Sequence, residues 1–180
     1  MMKESVAWGQ SEVRRRAKEP SGSRIVKKVW IKASTNVVYC ALTESRQLIH
    51  WFCDRASCDP REGGELVASW RAGKTSQKGR AIFKRLIPES ALELFWIDDG
   101  RGTQEKSTNH TLVYEIRSKS GMTELVMTDQ AEAPSDEEAL AILDQGWNSV
   151  LLELKDYCER RERSTKLRPR HGSKPQDNSE

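Results

Sequence analysis

His110 and Tyr114 are the residues of this chain best equipped for chemistry, because they share one side of an alternating apolar segment. Residues 108–118 place His110, Leu112, Tyr114 and Ile116 opposite Thr111, Val113, Glu115 and Arg117, the two-residue period of a strand. An imidazole on such a wall can orient a ligand or carry a proton near neutrality. It can equally be a hydrogen-bonded structural histidine or one left at an exposed strand end. A phenol held among apolar side chains must find a partner, which is a ligand, the backbone or water. Asp98, Asp99 and Glu105 could pair for acid–base work. Their segment is polar and carries glycines, so a solvated loop is the better reading. No Ser-His-Asp or Cys-His set is usefully placed, and no glycine-rich phosphate loop is present.

The four cysteines, Cys40, Cys53, Cys58 and Cys158, lack the spacing of a zinc site. They read as reduced thiols of a cytoplasmic protein, with no metal and no cofactor implied. Six tryptophans suggest walls for a flat or apolar ligand. Trp70, Trp96 and Trp147 are expected to face the interior. Trp51 is expected where short helices meet the end of a sheet. The competing reading is core filling, and for Trp147 it is the stronger one.

These side chains need elements to hold them. A strand over 25–32 leads to a helix over 35–43 capped by Ser34 or Thr35, then a second short helix around 45–51. Asp59-Pro60-Arg61-Glu62-Gly63-Gly64 is a turn, since proline fixes φ and glycine accepts positive φ. Strand 64–71 follows, with Leu66, Ala68 and Trp70 on one face. The next, 78–87, is ambiguous in register, with Ala81 and Phe83 set against Ile82 and Leu86. Strand 90–97 carries Leu92, Leu94 and Trp96 together. Strand 122–129 turns Leu125 and Met127 inward and Glu124 and Thr128 outward. The last strands read as an antiparallel meander.

The closing element is one long amphipathic helix. Ser135 with Glu138 forms a capping box after Pro134, and Asp136 and Glu137 suit the positive end of the helix dipole. Leu140, Leu143, Trp147, Val150, Leu151, Leu154 and Cys158 recur at three- and four-residue steps. A run of strands followed by such a helix predicts an α+β fold in which the sheet buries the helix's apolar stripe.

The formal charge of +3 hides a division. Residues 25–158 hold 17 basic and 20 acidic groups, so all net basicity lies at the two ends. We read 1–23 as a flexible leader, 24–162 as the domain and 163–180 as a disordered basic tail. The body has no basic stripe interleaved with aromatics, which argues against a nucleic-acid partner. No apolar run approaches the roughly 20 residues that span a bilayer.

Five short motifs in order carry a resemblance: Trp51-Phe52; the turn 59–64; Gly79 through Pro88; Leu94-Phe95-Trp96; and Gly146-Trp147 with Leu151, Leu154 and Tyr157. Over roughly residues 24–160 the chain resembles the family named for the activator of the heat-shock-protein-ninety ATPase, within the START-like, helix-grip (SRPBCC) superfamily. The resemblance implies a curved antiparallel sheet gripping a long C-terminal helix, with two small helices closing one end. It also implies one of three roles: a carrier of small apolar molecules, a chaperone-associated interaction module, or a cyclase- or aromatase-like enzyme. We expect the first. Leu66, Trp70, Phe83, Trp96, Tyr114, Met127 and Trp147 would be its walls, and His110 its polar contact.

Overall fold

The computed structural model describes residues 22–97, 109–132 and 137–167. Its elements are β1 (Arg24–Ile31), α1 (Thr35–Thr43), α2 (Ser45–Leu48), β2 (Arg55–Cys58), β3 (Glu65–Ala72), β4 (Thr75–Ile87), β5 (Ala91–Ile97), β6 (His110–Lys119), β7 (Met122–Ala131) and α3 (Glu137–Leu167). The sheet is antiparallel throughout, in the order β1-β7-β6-β5-β4-β3-β2. Strands β2 to β7 form a meander, and β1 joins it at the far edge beside β7. This is the α+β helix-grip arrangement, with both short helices directly after the first strand.

Alternation decides which residues reach the concave face. Leu66, Ala68 and Trp70 lie there on β3, and Leu92, Leu94 and Trp96 on β5. His110, Leu112, Tyr114 and Ile116 follow on β6, with Leu125, Met127 and Asp129 on β7. The β4 register resolves differently from a plain strand. A bulge between Phe83 and Arg85 adds one residue, so Leu86 pairs with Leu92 and regains the face of Ala81 and Phe83. The opposition of Leu86 to Phe83 expected from simple alternation is therefore corrected. Strand β2 is also additional to the sequence reading; it pairs with β3 through Cys58↔Leu66.

Helix α1 begins where Ser34 accepts from the Val37 amide, as a serine cap should. α2 is shorter than expected and ends at Leu48, the chain passing through turns to Phe52. Trp51 reaches back to donate its indole N–H to the Ala41 carbonyl at 3.0 Å, which locks α1 over the sheet end.

Helix α3 packs unevenly. Leu151, Leu154, Tyr157 and Cys158 are buried, whereas Ile142 and Leu143 are 62% and 42% exposed. The stripe expected over the whole helix is thus buried only along its second half. That half is clamped by polar contacts as well: Glu159 accepts from the Lys32 amide at 2.9 Å and Glu162 from the Ser34 amide at 3.2 Å. The Lys155 ammonium reaches the Trp30 carbonyl at 2.7 Å, and the Tyr157 hydroxyl donates to Gln47. The helix runs on to Leu167, beyond the boundary drawn at 162 from sequence. Ser135, Pro134 and Asp136 of the expected capping box lie outside the described residues, as do Asp98, Asp99 and Glu105.

Candidate functional site

The first half of α3 is held to the sheet by two side chains. Lys27 on β1 meets Asp144 at 2.6 Å, and the Trp147 indole N–H donates to Asp129 Oδ2 at 2.7 Å. Asp129 is only 7% exposed and sits on the inward face of β7, paired across the ladder with Ile25 and Leu112. Its other oxygen, Oδ1, lies 2.6 Å from His110 Nδ1. One buried carboxylate therefore joins the entrance of β6 to the helix above it. Burying a carboxylate is costly unless its oxygens are bonded; here each has an N–H partner.

Around this carboxylate the aromatic side chains form a continuous run. The His110 ring stacks on Trp96 at 6.3 Å between centroids, and Trp96 meets Phe52 edge-on at 6.1 Å. Phe52 in turn touches Trp70 at 5.2 Å and Trp51 at 5.3 Å. Each such pair contributes about 0.5–1.5 kcal/mol beyond its burial. The run needs Gly79 beneath it. A Cβ there would stand 2.9 Å from the Trp96 ring and 3.1 Å from the Trp70 ring. The Trp70 indole is satisfied by the Phe52 carbonyl at 2.5 Å.

One buried polar atom in this wall is unpaired among the described residues. The Trp96 indole N–H is shut from solvent and has no acceptor among the described residues. Tyr114 is 4% exposed. Burial and then the charge of nearby Asp129 push the Tyr114 phenol well above its usual range. It stays protonated at any working pH, a donor in an apolar wall.

All eight residues singled out from sequence lie on the concave face or the helix above it, in two groups. His110 and Trp147 bond Asp129, Tyr114 lies within reach of its charge, and Trp96 stacks on His110. Leu66, Phe83 and Met127 are fully covered within the packed core, and Trp70 lies at the outer end of the aromatic run. Asp129 is the residue that sequence reasoning missed. Its signal was present, since it shares the parity of Leu125 and Met127 and so puts an ionisable group at an inward position. Three grooves outlined by described residues lie away from Asp129, the third of them bordered by Trp70. One of about 460 Å³ runs beside Ser34, Ser118 and Glu162, and one of about 490 Å³ lies between His50 and Arg161. The third, about 190 Å³, is near Arg55 and Lys78. Among the described residues no cluster of His, Cys, Asp and Glu is arranged to hold a metal. No described helix is long and apolar enough to cross a membrane.

Comparisons with known proteins bear on the same span. The model of the family "Activator of Hsp90 ATPase homolog 1-like protein" matches residues 32–159. No curated protein matches the chain. Among solved structures, the Aha1 dimer of Colwellia psychrerythraea is similar at 20% identity and TM-score 0.63, over 76% of this chain and 96% of that one. A Nitrosomonas europaea protein matches at 18% identity and TM-score 0.66, over 77% and 95% of the two chains. CalU16 of Micromonospora echinospora matches at 17% identity and TM-score 0.58, over 79% and 80%. At these identities the likeness is one of fold.

Proposed function

The chain belongs to the family of Activator of Hsp90 ATPase homolog 1-like proteins, and from that premise we propose that it binds a small hydrophobic or aromatic molecule in the cytoplasm without transforming it. The ligand lies between the concave face and the first half of α3, against Trp96, His110, Tyr114 and Trp147. The observation that carries this reading is the unpaired, fully buried donor Trp96 Nε1 within an aromatic wall. An unpaired buried donor costs about 1–3 kcal/mol. A ligand acceptor removes that cost, and few placed polar groups in an apolar lining are the common form of a small-molecule site. The loose packing of α3 before Val150 adds a route of entry, since this half is held mainly by Lys27–Asp144 and Trp147–Asp129. Titration with a chemically broad panel of apolar and aromatic compounds, followed by tryptophan emission, tests it. Saturable quenching with a rise in melting temperature is expected; no response across the panel removes the reading.

The family description favours a second reading, an interaction module that stimulates a chaperone ATPase. At micromolar amounts the chain would then accelerate ATP hydrolysis by its cognate chaperone, and an unchanged rate would eliminate this alternative.

A further inference from the structure

The hydrogen bonds of Asp129 determine what His110 offers. An ionised carboxylate only accepts hydrogen bonds, and an indole N–H only donates. Oδ2 is taken by Trp147 at 2.7 Å, so the short 2.6 Å contact at Oδ1 places the His110 proton on Nδ1. The neutral ring then carries its lone pair on Nε2, and Nε2 has no partner among the described residues. Stacking on Trp96 holds the ring plane. The imidazole is thus an oriented acceptor stacked on Trp96, whose own indole N–H is an unpaired donor.

We propose that Asp129 is a positioning residue that presents His110 Nε2 as a fixed acceptor, so that the site selects ring compounds bearing a hydroxyl proton, phenols and enols, over the matching ethers. The proposal rests on the binding reading above and adds to it the chemical class of the ligand. A site built to pair a hydroxyl discriminates strongly against the analogue lacking it, because the buried acceptor is then left bare. A hydrophobic site without this acceptor would not separate the two. Asp129→Asn keeps an acceptor for Trp147 but turns an amide donor towards Nδ1, which moves the ring proton to Nε2 and removes the preference.

Three probes of equal ring size separate the possibilities: naphthalene, 2-naphthol and 2-methoxynaphthalene, titrated into the full chain by calorimetry and tryptophan emission. Naphthalene reports the apolar site alone. The parent protein should bind 2-naphthol at least about tenfold more tightly than 2-methoxynaphthalene, a factor equal to about 1.4 kcal/mol. His110→Phe, which keeps a ring on Trp96, should bring that ratio to about one. Asp129→Asn should bring it to about one. Equal binding of the two substituted probes by the parent overturns the selectivity and leaves the binding reading standing. Failure of all three to bind overturns the selectivity, and the broad panel above decides the binding reading separately. Nitrogen-15 spectra of the parent at mildly alkaline pH provide an independent readout if a variant does not fold. A proton on Nδ1 of His110 is expected, and one on Nε2 overturns the proposal.

Discussion

Gly79 and Trp147 are the positions where single atoms decide whether the aromatic wall holds its shape. A side chain at 79 meets two ring systems at 2.9 and 3.1 Å, and neither ring is free to retreat: Trp70 is tied to Phe52 and Trp96 is stacked on His110. Gly79→Val should therefore destabilise the protein by about 1–3 kcal/mol and shift its tryptophan emission. A urea midpoint and a spectrum identical to the parent's would contradict such close packing. Trp147→Phe keeps the ring but strips one donor from a buried carboxylate. It should cost roughly 1–3 kcal/mol, more than replacing an exposed helix residue. The role of Trp147 as a helix anchor was legible in the sequence from its place in the apolar stripe. Its bond to Asp129 was not, because the partner lies 18 residues away on another element and no local pattern specifies that meeting.

At the scale of elements, α3 divides into a gripped half and a lightly tethered one. Leu154→Ala in the gripped half should cost about 2–5 kcal/mol, the usual range for emptying a leucine site in a core. Leu143→Ala, at a half-exposed position, should stay within about 0.5 kcal/mol; denaturant unfolding separates the two. Similar losses at both sites would mean that the helix is gripped uniformly. The carboxylates that fasten this half also set a pH response. Desolvation raises the pKa of Glu159 and of Glu162. For Glu159 the Lys155 ammonium and the Lys32 amide outweigh it; for Glu162 the Ser34 amide, Lys166 and the Ser34 hydroxyl do. Both carboxyls are held below their ordinary value of 4.5. A lowered folded-state pKa means stability that is present above 4.5 and lost as pH falls through the lower value. Melting temperature should thus fall on acidification below this point, and Glu159→Gln should flatten part of that slope. An unaltered slope would show that the clamp does not couple folding to protons. Most elements could be read from periodicity and caps, α1 to its end residues. Strand β2 and the β4 bulge could not. The first is too short for a pattern, and the second appears only when β4 is set against β5.

On the scale of the whole molecule, the helix-grip fold buries Cys53 and Cys158, partly covers Cys40 and Cys58, and pairs none of them. Burial pushes Cys58 up to about 11 and Cys158 to about 12, with further charge repulsion at Cys58 from Cys53, and it raises Cys40 and Cys53 as well. All four cysteines are free. A disulfide-exchange reagent at neutral pH should react slowly with the native protein and then titrate four thiols once it is unfolded. A fast native burst, or fewer than four after unfolding, would contradict these raised, unpaired thiols. The amino-acid sequence by itself determined the α+β class, the order of helices and of every strand but β2, the inward faces of most strands and the family. Each of these follows from local spacing, since a strand's two-residue period and a helix's three- and four-residue steps are written along the chain. Only the tertiary structure decided which inward residues lie in the closed core and which belong to the group at Asp129. It also decided that α3 is gripped along one half alone. Those outcomes depend on register between distant strands and on where the helix crosses them, and such geometry arises only when the separate elements are brought together.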